Sequence, residues 1–182
     1  MRNILLISED KVKTLSNLDN NVFGKWLLPA IREAEDVNLQ SIIGSCLYNH
    51  ILTLVENGEI TLPENELYKD LLDNQIRDFL LYQTLVNIIP LINVNMANIG
   101  TSVSNDEHIQ ALSQPNVDLI RVHYQSLADT YQKRLQNYLL CNKEQFPELS
   151  ECACSKCTIK PNLESNINSI GIYLGGRRNP SR

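Results

Sequence analysis

Apolar side chains recur at three- and four-residue spacing through most of the stretch from residue 19 to residue 142, and that rhythm predicts helices. Asp19 or Asn20 caps a first one, with Val22, Phe23, Trp26 and Leu27 on its inner face. Pro29 falls inside the pattern and marks either the first turn of a new helix or a kink. The stripe continues through Ile31, Ala34, Val37, Leu39, Ile42 and Ile43 and stops at Gly44, a natural helix end. Leu47, Tyr48, Ile51, Leu52 and Val55 predict a further short helix, closed by Asn57, Gly58 and Glu59.

Pro63 followed by Glu64 and Glu66 marks the next start, with acids placed for the helix dipole. Leu67, Leu71, Leu72, Ile76, Phe79, Leu80, Gln83 and Val86 form its inner stripe, which makes a helix about 40 Å long. The segment NVNMANIGTSVSND, Asn93 to Asp106, has no helical period and predicts a β-hairpin or extended loop. After Pro115 the rhythm is clearest, with Val117, Ile120, Tyr124, Leu127, Tyr131, Leu135 and Tyr138 in register.

From residue 143 the helical stripe is gone and Asn, Ser, Pro and Cys dominate, up to one β-competent run, SIGIYLGG. The expected fold is all-α: a helical bundle with long antiparallel helices, a β-hairpin-like loop and an extended C-terminal arm. Residues 1–142 form the helical domain and residues 143–182 the arm. A segment that cannot bury its own apolar face stays mobile or lies on a partner.

Composition narrows the function. The chain has 182 residues, 43% of them hydrophobic, enough for a core without a staple. Its net charge is −5, with no long basic block apart from the terminal GGRRNPSR, which argues against a high-affinity duplex-DNA binder. The opening MRNILLISEDKVKTL is not read as a secretory signal, because Glu9 and Asp10 follow a short apolar run at once. FLLYQTLVNIIPLI is broken by Gln83, Asn87 and Pro90, so no membrane span is expected. Five cysteines without an export signal predict reduced thiols.

Catalytic patterns are missing from the sequence: no Gly-rich phosphate loop, no G-x-S-x-G and no H-E-x-x-H. His50, His108 and His123 are scattered, and structural or surface roles are expected for His50 and His123. Glu33, Glu35 and Asp36 lie on the polar side of the pattern and read as solvated surface. Asp70 and Asp73, one turn apart, lack the matched His-carboxylate pair of a helical di-metal site. Cys141, Cys152, Cys154 and Cys157 supply four thiolates, the number of a closed zinc site, in the uncommon spacing C-x10-C-x-C-x2-C. Zinc, redox work and free thiols all stay open, and a bound metal would clip the arm's fold. No cofactor and no catalysis are expected.

The stretch FGKWLLPAIREAEDVNLQSIIGSCLYNHIL resembles the opening of the head-to-tail connector (adaptor) proteins of tailed phages. The positions that carry the likeness are Ile31, Ala34, Leu39, Ile42, Gly44, Leu47 and Tyr48, and the order of later segments is similar to about residue 142. The Asn- and Ile-rich style, the cysteine arm and the terminal GIYLGG are similar to neck ring proteins of crAss-like phages. The cysteine arm departs from simpler adaptors.

That resemblance implies a protein without an active site. Its copies assemble into a homo-oligomeric ring, usually a dodecamer, in the virion neck at the head-tail interface, after synthesis in the host cytoplasm. The ring prolongs the portal channel and binds the portal protein and other neck or tail ring proteins. DNA slides through without specific binding, which an acidic lining favours. On this reading the loop with Asn95, Ile99 and Val103 faces a neighbouring ring or the lumen. Ile170, Ile172, Tyr173 and Leu174 add a strand to a neighbour's sheet, and Arg177 and Arg178 pair with acids there. The alternative is a small DNA-binding regulator with a cysteine metal clip, although the helix after Pro115 is nearly balanced in charge.

Overall fold

Ser8 turns the N-terminal segment into the first helix of the computed structural model. Its backbone is extended, its Oγ accepts from Lys11 N at 3.3 Å, and Glu9 and Asp10 follow in the first turn. This helix, α1 (Glu9–Leu15), lies upstream of the region where the apolar rhythm predicts helices, and Val12 is its buried residue. The structure describes residues 4–16, 18, 24–97, 100–103, 114–150 and 159–163.

The architecture is predominantly helical, in keeping with an all-α class. α2 (Gly24–Glu33) runs through Pro29 and passes into π-helical turns over Ala34–Leu39, from which α3 (Gln40–Glu56) continues. Two short 3-10 turns lead to α4 (Glu66–Leu71), a second π stretch (Leu72–Ile76) and α5 (Arg77–Asn93). The last long element is α6 (Gln114–Cys141), 28 residues. Between α5 and α6, β1 (Val94–Ala97) and β2 (Gly100–Val103) pair antiparallel, Asn95 opposite Ser102 and Val103 opposite Val94.

α5 is the central helix, with α2 and α6 both packed on it. The stripe expected through α4 and α5 is the one that packs: Leu71, Leu72, Ile76, Phe79, Leu80, Gln83 and Val86 are all buried. The buried Gln83 meets its polar needs within the helix, donating Nε2–H to Asn87 Oδ1 at 3.0 Å. Tyr82 stacks on Tyr131 of α6, ring centroids 4.9 Å apart, and Leu135 and Leu139 carry α6 into the core.

Two expectations fail in the π segment. Val37, expected in the inner stripe, is 61% exposed, and Glu35, expected in solvent, is 2% exposed. The cause is geometric. Wider turns with i→i+5 hydrogen bonds slow the rotation per residue, so α-helical phase is lost within Ala34–Leu39 and Glu35 and Val37 change places, while Ala34 and Leu39 stay buried.

At Gly44 the chain breaks within α3, with φ 80° and ψ 159°, a region open to glycine alone. The break is occupied by a segment from far along the sequence. Ile159 O accepts from Ser45 N and Ile42 O accepts from Asn162 N, both at 3.0 Å. Part of the segment expected as an arm therefore lies on the helical body. Phe146 and Leu149, beyond the boundary expected after residue 142, are buried in the same core.

Candidate functional site

The phase shift at Ala34–Leu39 builds a groove. Glu35 turns inward and its Oε1 accepts from Leu6 N at 2.7 Å and Ile7 N at 3.2 Å. Those amides belong to a non-helical segment ahead of α1, so the carboxylate supplies the acceptor that they lack in secondary structure. Burial pushes the Glu35 carboxyl up to about 7; the two amide hydrogen bonds and the Arg32 guanidinium pull the other way, and Asp36 adds to the rise.

Around Glu35 lies an open cavity of about 560 Å³, lined by Ile4, Pro29, Arg32, Glu33, Glu35, Asp36, Val37, Tyr48 and Leu52. Its apolar contributors are Ile4, Pro29, Val37 and Leu52, and Glu33 and Asp36 are exposed acids beside them. Tyr48 donates its hydroxyl to Asp36 Oδ1 at 2.6 Å, which fixes that carboxylate. The trough is thus partly apolar, with acids and the Arg32 guanidinium both contributing to its lining. Its volume is in the range that also takes small molecules.

A second constellation surrounds Gly44. Ser45 Oγ accepts from Ile159 N and from Gln40 Nε2, each at 3.0 Å, while the buried Gln136 of α6 donates to Asn162 O at 2.9 Å. A Cβ on Gly44 would stand 2.8 Å from Pro161 N and Cδ. Glycine is thus required twice, by its backbone angles and by the proline against it.

The residues singled out from sequence fall as follows. Asp70 accepts from Asn74 at 2.5 Å and from Tyr138 at 3.2 Å, and Asp73 pairs with Arg77, so both carboxylates have protein partners. His50 packs on Tyr68, centroids 4.7 Å apart, with its Nε2 3.6 Å from Glu148 Oε1. Tyr68 donates to the same Glu148 oxygen at 2.8 Å, so His50 belongs to a structural knot joining α3, α4 and the turn after α6. His123 lies beside Tyr124 on an exposed stretch of α6. Cys141 is an exposed free thiol, whereas Cys46 on α3 is disulfide-bonded, so the expectation of reduced thiols throughout does not hold for Cys46.

Cys152, Cys154, Cys157, His108, Ile99 and the arm residues Ile170, Ile172, Tyr173, Leu174, Arg177 and Arg178 lie outside the described residues. Asn95 and Val103 are placed by the β1–β2 register alone. Among the described residues no group of three or more His, Cys, Asp or Glu is arranged to hold a metal ion. No described helix is long and apolar enough to cross a membrane.

The groove escaped sequence reasoning because a straight 3.6-residue period was carried through a segment that is not α-helical. A signal was present all the same: the apolar Ile4–Ile7 run brings backbone amides into the core and needs a buried acceptor.

Comparison with known proteins gives one family. The profile of a family of unknown function (DUF6712) matches residues 39–159, from the last π turn to the residue tied to Ser45. No curated protein and no solved structure matches the chain.

Proposed function

The chain belongs to the DUF6712 family of unknown function, and from its surfaces we propose that it is a structural virion protein of a tailed phage, one subunit of a ring in the neck between portal and tail. In this role it extends the DNA channel and docks the portal protein and other neck or tail ring proteins. It acts by shape and contact, without chemistry.

One observation carries the reading. The first half of α6 holds Leu119, Ile120 and Val122 outside the core, Leu119 being 73% and Val122 68% exposed, on a helix whose second half is packed by Leu135 and Leu139. A cluster of large apolar side chains held in water on a rigid helix is the mark of a surface that meets another protein. The residues that carry the connector likeness agree with a structural role: Ile31, Ala34, Leu39, Ile42, Leu47 and Tyr48 are buried, and Gly44 makes the break in α3. The β1–β2 hairpin then faces a neighbouring ring or the lumen. The segment after Leu163 reaches a second component, with SIGIYLGG adding a strand and Arg177 and Arg178 pairing with acids.

Size-exclusion chromatography with light scattering, followed by negative-stain imaging, tests the reading. Closed rings of many copies are expected. A chain that stays monomeric with the portal protein present, or that binds duplex DNA with a steep salt dependence, would contradict it.

A further inference from the structure

Cys46 follows directly on Ser45, the residue that holds Ile159 beside the Gly44 break. It is half-buried and disulfide-bonded. The chain has five cysteines and Cys141 is free, so within one molecule the second sulfur belongs to Cys152, Cys154 or Cys157. The described backbone puts such a bond within reach. A disulfide needs Cα atoms about 4.4–6.8 Å apart. The Ser45–Ile159 hydrogen bonds bring the returning chain to the residue next to Cys46, and the three candidate cysteines lie two to seven residues before Ile159.

The segment beside this bond has few other holds. Residues 159–163 are fixed by Ser45 N–H on Ile159 O, Ile159 N–H on Ser45 Oγ, Asn162 N–H on Ile42 O and Gln136 Nε2–H on Asn162 O. Their apolar burial is modest: Ile159 is exposed and Leu163 is partly buried against the core. The nearest described core residue upstream is Leu149, ten positions before Ile159.

We propose that Cys46 and one of Cys152, Cys154 and Cys157 form a thiol–disulfide exchange site that clamps residues 159–163 into the Gly44 break when oxidised and loosens them when reduced. A small-molecule disulfide such as oxidised glutathione closes it. One cysteine thiolate attacks that disulfide, forms a mixed disulfide and expels one glutathione thiolate. The second cysteine thiolate attacks the protein sulfur of the mixed disulfide, which forms the protein bond and releases the other glutathione thiolate. Two electrons pass from the protein to glutathione, and the two cysteine protons go to the released thiolates or to solvent. A small-molecule dithiol runs the sequence in reverse. Cys46 is only half-buried, so such reagents reach it.

Loop closure sets the size of the effect. Oxidation brings the nearest upstream anchor of Ile159 from ten residues away, at Leu149, to between two and seven. Closure probability falls as about the 3/2 power of that length, so reduction should populate the open form roughly two- to tenfold more. The clamp needs no contact between copies and stands apart from the neck reading.

The test uses the full chain, held either with oxidised glutathione or with a dithiol. Tryptic mapping of the oxidised chain should join the Cys46 peptide to a peptide from residues 152–157, and cleavage after Lys156 separates Cys157 from Cys152 and Cys154. Amide hydrogen exchange then reads the clamp. Protection of the Ser45, Ile159 and Asn162 amides should fall roughly two- to tenfold on reduction, while amides of α5 keep theirs. Cys46→Ser and Cys46→Ala should both hold the reduced level with either reagent, and Cys141→Ser should respond as the parent does.

A Cys46 thiol that alkylates in the oxidised chain without prior reduction would overturn the proposal, as would a bond from Cys46 to Cys141 or to another copy. Protection at Ile159 and Asn162 that ignores reduction would overturn the clamp even with the bond mapped. So would protection lost throughout α5, which would make the bond a staple of the whole fold.

Discussion

Ser45 and Ile159, 114 positions apart in sequence, hold each other through two hydrogen bonds: Ser45 N–H donates to Ile159 O and Ile159 N–H donates to Ser45 Oγ, both at 3.0 Å. The pair sits where Gly44 breaks α3, and it returns the chain beyond α6 to the centre of the fold. Ser45 N–H and the Ile42 carbonyl, which the break would leave orphaned, find partners in the returning segment.

Gly44→Ala should therefore be costly. Its φ of 80° is strained for any other residue, and the new Cβ would meet the backbone nitrogen of Pro161 at 2.8 Å. A loss of about 3 kcal/mol is expected in urea unfolding. Limited thermolysin digestion should also cut faster before Leu163 once the segment 159–163 is displaced. Unchanged stability and cleavage would mean that residues 159–163 do not occupy the break in solution.

Phe146→Ala tests whether the chain beyond residue 142 belongs to the helical body. Its ring is fully buried and packs edge-on against Tyr68, centroids 5.7 Å apart. Truncation should cost about 3–5 kcal/mol, as for a core aromatic. A cost below about 1 kcal/mol would mark the segment as a loosely held appendage.

Glu35 gives a pH signature whose direction is set by its burial. Its folded carboxyl titrates at about 7 against an ordinary value of 4.5, so between those values the folded chain keeps a proton that the unfolded chain has lost. The contribution is fully present below the unfolded value and declines as pH rises through about 7, by roughly 3 kcal/mol in all. Glu35→Gln keeps an acceptor for the Leu6 and Ile7 amides and cannot ionise. Urea midpoints at about pH 5 and about pH 8 should converge or cross in favour of the Gln variant at the higher pH. Parallel profiles would show that Glu35 is solvated.

Much of the helical layout was legible because it follows one rule, an apolar face repeating at helical spacing. The stripe from Leu71 to Val86 and the halt at Gly44 both follow from that rule and from glycine's backbone freedom. α1 was missed because seven residues carry too little periodicity to stand out, although Ser8, Glu9 and Asp10 form a recognisable helix start. The groove was hidden for a different reason. π turns leave no mark in a hydrophobic pattern read at 3.6 residues per turn, so that pattern puts Val37 inside and Glu35 outside, the reverse of the structure. The return of Ile159 to Ser45 is a long-range contact made by backbone groups, and side-chain identity says little about where those go.

The central claim is that this chain is a subunit of the phage neck. On that claim the chain is a component of phage particles, and the most direct measurement is to label it, with a C-terminal affinity tag and gold-conjugated binder, on particles purified from cells that produce it. Label confined to the head-tail junction is the predicted result. Label absent from purified particles, with the protein remaining in the host cell fraction, would contradict it.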